Sequence, residues 1–170
     1  MSNTAYFDLI NAIKEFFDPR ATALSGGVPY SKIKTITTGD IYEIDLSKQT
    51  IFPLGHIIVN NVQQDEHFYT FNVSFLVMDI VDINKEEGAS ETTNLYGNNN
   101  EADILNESLS SINFLAESLR RGTLFKRQIR IVEGSQVTIE PFYERGENML
   151  AGWSATMDIE MRNTIMNDLC

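Results

Sequence analysis

Few residues in this chain could do chemistry. A transition-metal centre usually draws on two or three His or Cys side chains. The chain has two histidines, His56 and His67, and one cysteine, Cys170, its last residue. Each histidine reads as a surface or strand-end residue. No internal disulfide can form, and nothing asks for an oxidising compartment. Asp79 and Asp82 could be paired with Asp158 or Glu160, and paired carboxylates run acid–base and glycosidic chemistry. No nucleophile or aromatic subsite accompanies them, and acids are ordinary on the wet face of an antiparallel strand. Oxygen ligands for calcium abound between 79 and 91, but the EF-hand spacing is absent. Ser25-Gly26-Gly27 has the spacing of neither a P-loop nor a dinucleotide turn, and there is no Gly-x-Ser-x-Gly elbow. No cofactor, metal or catalytic residue is expected.

Charge is more informative. Of 170 residues 24 are acidic and 13 basic, a net charge of −11, which disfavours broad adhesion to DNA or anionic lipid. The charge is segregated. Eight acids lie between Asp79 and Glu107 against one base, Lys85, and five bases lie between Arg120 and Arg130 with no acid. Such a split suits contact between copies, or else two solvated patches. Glu86, Glu87, Glu91 and Asn98 on the acidic side, with Lys126, Arg127, Arg130 and Arg145 on the basic side, are the candidate subunit-interface residues. Arg120 and Arg121 already suit a helix C-terminus. The basic cluster lacks stacking aromatics beyond Phe125, so it does not read as a nucleic-acid reader.

The elements that must position these residues follow from periodicity. Residues 4–17 repeat apolar side chains at helical spacing and stop at Asp18-Pro19. Four strands are expected at Lys32–Thr37, Asp40–Leu46, Gly55–Val62 and Phe68–Val81. In the second, Tyr42, Ile44 and Leu46 share one face. In the last, Tyr69, Phe71, Val73, Phe75 and Val77 share a face, while the other turns apolar only from Leu76 onward. Residues 82–100 form a long polar, acidic loop, of the length that usually serves a function or stays disordered. A second helix over 101–121 carries Leu105, Leu109, Ile112, Leu115, Ala116 and Leu119 as its stripe, closed by Gly122. Gln128–Val132 and Gln136–Pro141 flank the turn Glu133-Gly134-Ser135, and a final strand alternates from Trp153 to Met161. Trp153, Phe142 and Tyr143 read first as core residues. The order predicts one α+β domain over 1–170, an antiparallel sheet with two main helices packed on it. Leu109, Ile112, Trp153 and Phe75 should share one core. No run approaches the ~18–20 apolar residues of a membrane span, and no signal peptide is read.

Three segments carry a family resemblance: Tyr6-Phe7-Asp8-Leu9-Ile10, the strand from Phe71 to Asp82 with the helix after it, and Pro141-Phe142-Tyr143-Glu144-Arg145-Gly146 through Trp153-Ser154-Ala155-Thr156. With the element order, they make the chain resemble tailed-bacteriophage neck proteins of the tail-terminator or tail-completion kind, particularly those of crAss-like phages infecting Bacteroides. The resemblance implies a virion subunit, made in the host cytoplasm, in a six- or twelve-fold ring between portal and tail. Neighbouring neck, portal-side or tail proteins are its implied partners, and DNA is passing cargo. The long 82–100 insertion exceeds what a minimal terminator needs. The alternatives are a stand-alone ligand-binding or adaptor domain and, least favoured, an acid-based enzyme.

Overall fold

The structure, a computed structural model, describes residues 5–18, 33–81, 100–122, 129–144 and 149–163. The fold is α+β. Two helices, α1 (Ala5–Phe16) and α2 (Glu101–Arg120), pack on a six-stranded sheet. Its strands are β1 (Thr35–Thr38), β2 (Leu54–Gln64), β3 (Phe68–Ile80), β4 (Ile129–Ile131), β5 (Thr138–Glu144) and β6 (Leu150–Arg162). Their order is β1-β2-β3-β6-β4, and β5 also pairs with β6. All pairings are antiparallel except β1 with β2, which is parallel.

Both helices cover the same face. On β3 the expected alternation holds: Tyr69, Phe71, Val73, Phe75 and Val77 are buried toward the helices. From α1, Leu9, Ile10 and Ile13 join that core, as do Ile112, Leu115 and Leu119 from α2. Phe17 stacks on Phe75 with ring centroids 5.4 Å apart, and Phe16 meets Phe114 at 4.9 Å, tying helix to sheet and helix to helix. Trp153 donates its indole N–H to the Leu105 carbonyl at 2.8 Å, anchoring α2 to β6.

The face of α2 differs from the apolar stripe expected for it. Ile104, Ser108, Ser111 and Ser118 are buried beside Ile112, Leu115, Ala116 and Leu119, while Leu105 and Leu109 are only half-buried. The serines count as polar in a sequence pattern. Here the hydroxyls of Ser108 and Ser111 donate to carbonyls four residues back, which satisfies them locally and lets the helix lie close to the sheet. Of the four residues expected to share one core, Phe75, Ile112 and Trp153 do, and Leu109 does not join it.

The expected strand over Asp40–Leu46 does not form. The Asp40 carboxylate accepts from the Tyr42 N–H at 2.9 Å and opens a single 3₁₀ turn, Ile41–Glu43. Asp45 likewise accepts from the Ser47 N–H at 3.2 Å. Local side-chain bonds of this kind compete with a ladder and win where no neighbouring strand is available. Ile41, Ile44 and Leu46 pack on the far face of the sheet against Phe52, Leu54, Met78 and Leu150, and Tyr42 is left 93% exposed.

The turn at Glu133-Gly134-Ser135 does not make a hairpin either. Its two flanking strands lie end to end along the same edge of β6, β4 against its second half and β5 against its first. Beyond the second core, the far face is polar and open. There the Asn60 amide donates to Asn72 and Ser74, the Asn72 amide donates to Asp158 at 2.7 Å, and Ser74 bonds Thr156 at 3.0 Å.

Candidate assembly interface

Most of the interface candidates lie outside the described residues: Glu86, Glu87, Glu91, Asn98, Lys126, Arg127 and Arg145. Arg130 stands on β4, where its guanidinium pairs with Glu160 directly across on β6. That pair clamps the short β4 to its own sheet. Arg121 pairs with Glu117 one turn back on α2.

The carboxylate combination of Asp79 with Asp158 or Glu160 is not assembled. Asp79 sits opposite Ala151 and turns toward α2, whereas Asp158 is on the open face seven residues further along β6, about 23 Å away. Asp79 instead lines a small cavity under α2 with Glu107, Ser108 and Ser111. Its carboxyl is raised above the ordinary value of 3.8, first by burial and further by the Glu107 charge, against the lowering effect of the Ile80 N–H it accepts. His56 is not the surface or strand-end residue expected. It is fully buried, with Nδ1 2.8 Å from the Thr37 hydroxyl and Nε2 3.1 Å from the Gly39 carbonyl. A carbonyl only accepts, so Nε2 carries the proton and Nδ1 accepts from Thr37. Burial holds this imidazole below its ordinary 6.5. His67 is exposed near the β2–β3 turn. Among the described residues no three His, Cys, Asp or Glu side chains gather as a metal site requires, and no helix is long and apolar enough to cross a membrane.

Among the described residues, the two sheet edges are where unpaired strand backbone faces outward. β1 covers β2 only from Leu54 to Ile57, so among the described residues nothing pairs with the outer side of Ile58–Gln64. On the opposite edge, nothing among them pairs with the outer side of β5. The direction of the free groups can be worked out. The Asp158 carbonyl accepts from the Val132 N–H, which aims the open-face residues of β6 at β4 and β5. Alternation then aims the helix-face residues of β5, namely Ile139, Pro141 and Tyr143, outward. Carried across β3, the same alternation aims the helix-face residues of β2 outward: Val59 and, past the bulge at Asn60, Val62 and Gln64. The Ile57 carbonyl, which accepts from Gly39 on that side, agrees.

Natural edges are blunted by charge, proline or bulges. β5 has Pro141, whose missing N–H falls on the outer side, and acidic Glu140. β2 has its bulge but no charged residue in eleven, in a chain 22% charged. The segments to which segregated charge points lie mostly outside the described residues. The signal that could have found the β2 edge is an uncharged, amide-rich strand without proline. The chain matches no protein-family model and no curated protein.

Proposed function

We propose that this chain is a structural, non-catalytic subunit that joins copies of itself head to tail into a ring, serving in the neck or tail of a tailed-phage virion as its sequence resemblance suggests. What carries the reading is the fit between its two free edges. β2 and β6 run one way, and β5 runs the other. When one copy is set beside the next in the same orientation, β5 of one therefore meets β2 of the other antiparallel.

Faces and hydrogen-bond directions agree, with the longest overlap of the two strands, when Ile139 lies beside Gln64, Pro141 beside Val62, and Tyr143 beside Val59, the bulge at Asn60 absorbing the odd residue. β1 occupies the lower part of that column, so consecutive copies are staggered along the strand. A staggered sheet closes with tilted strands, as in barrels. The contact is heterologous, which generates rings when the rotation closes. Passing DNA would be cargo, held by no charged grip.

The test is Val62→Pro. Its lost N–H faces outward, so the β2–β3 ladder survives and only the edge is blocked. Sedimentation should show a multimer for the parent chain and a folded monomer for the variant. A parent chain that stays monomeric at every concentration would favour the adaptor reading instead.

A further inference from the structure

Apolar patches left exposed on a folded chain mark interaction sites, and three exposed aromatic side chains, with Val62, stand at these two edges. Phe7 is 65% exposed, Tyr6 41% and Tyr143 49%. Tyr6 and Phe7 are already arranged: their rings meet edge to face at 5.9 Å, and the Tyr6 hydroxyl bonds Thr38 Oγ1 at 3.2 Å. That bond pins the pair at the end of β1, where the free edge of β2 begins. Thr38 is opposite Ile57, and Val59 is two residues, or about 7 Å, further along the strand. Tyr143, opposite Ala151, lies on the helix face of its own copy, and α1 lies on that same face.

We infer that Tyr6 and Phe7 of one copy form an aromatic seat for Tyr143 of the next. This deepens the ring reading and rests on its register, in which Tyr143 falls beside Val59. The occupant is a second copy of this chain because the two halves of the seat are on opposite edges of one subunit, on one face, and at heights that the proposed pairing brings together. Within its own copy Phe7 is left 65% exposed. Its ring is preset by Tyr6, so little side-chain freedom is lost on docking. Aromatic packing of this kind also offsets the donor that Pro141 withholds from the strand pairing.

The experiment measures assembly by sedimentation across a concentration series for the full chain and for Phe7→Ala, Tyr143→Ala and the double variant. Circular dichroism confirms that each is folded. Each single variant should weaken assembly about tenfold or more, since aromatic pairs contribute beyond their area. The double variant should be scarcely weaker than either single one, because both remove the same contact. If Phe7→Ala proves unfolded, Tyr143→Ala on the opposite edge still decides, and its assembling like the parent overturns the seat. Additive losses in the double variant overturn it as well. Assembly that survives both substitutions but is lost in Val62→Pro sinks the seat and leaves the ring reading standing. A parent chain that never assembles sinks both.

Discussion

At the residue scale, Asp79 and His56, the partly or wholly buried groups with shifted titration among the described residues, act in opposite senses with pH. Asp79 is raised above its ordinary value by burial and by Glu107. The native chain therefore binds the proton more tightly than the unfolded chain, and stability falls as pH rises through the window above 3.8. Asp79→Asn keeps an oxygen for the Ile80 N–H and removes the charge. Its urea midpoint should exceed the parent's at pH 7, and the advantage should vanish below about pH 3.8, where both side chains are neutral. An advantage that persists unchanged at low pH would mean that packing, not charge, is responsible. His56 is lowered from 6.5 by burial. There the unfolded chain is the better proton binder, so its contribution is present above the unfolded value and is lost as pH falls through 6.5 toward the folded value. The parent's profile should accordingly sag on the acid side of neutrality. Neither group needs a catalytic role to explain its shift.

At the element scale, one glycine decides how β6 sits on β3. A Cβ on Gly152 would lie 2.0 Å from the Val77 carbonyl oxygen and 2.9 Å from the Met78 Cα. Both are backbone atoms, so no rotamer change relieves the clash. Gly152→Ala should cost at least the upper end of the ~1–3 kcal/mol typical of overpacking, read from the denaturant midpoint. A loss below about 0.5 kcal/mol would show that the two strands can part without penalty. The helices illustrate a different dependence. The face of α2 is set by serines that bond their own backbone, so truncating Ile112, which is fully buried, should cost more than truncating the half-buried Leu109. β1 is a further case: four residues long, parallel to β2, and too short to cover it.

At the scale of the whole molecule, two physical accounts of assembly can be separated by salt. Contact driven by the acidic and basic segments should weaken steeply as ionic strength rises, because exposed charges further apart than the ~8 Å Debye length at 0.15 M are screened. Edge pairing through main-chain hydrogen bonds and an aromatic seat should scarcely respond. We expect the multimer to persist between about 0.05 and 1 M salt, a range over which the Debye length shrinks to ~3 Å. Dissociation across that range would return the interface to Lys126, Arg127 and the acids of 82–100.

Periodicity alone determined both helices, the two long central strands with the faces those strands bury, and the α+β class, because burial of one face imposes a period of 3.6 or 2 on the residues themselves; the serine-lined face of α2 escaped it. Gly122 as the stop of α2 was legible for the same local reason, since its φ of 70° suits glycine. Tertiary structure decided what depends on partners distant in the chain. Asp40 and Asp45 became turn caps because, among the described residues, no strand lies where Tyr42, Ile44 and Leu46 would have paired. His56 became a buried core residue because β1 brought Thr37 and Gly39 to its two nitrogens. The free length of β2 exists only because β1 stops at Thr38, and whether an edge is covered is a property of its neighbour, which no pattern within the strand records.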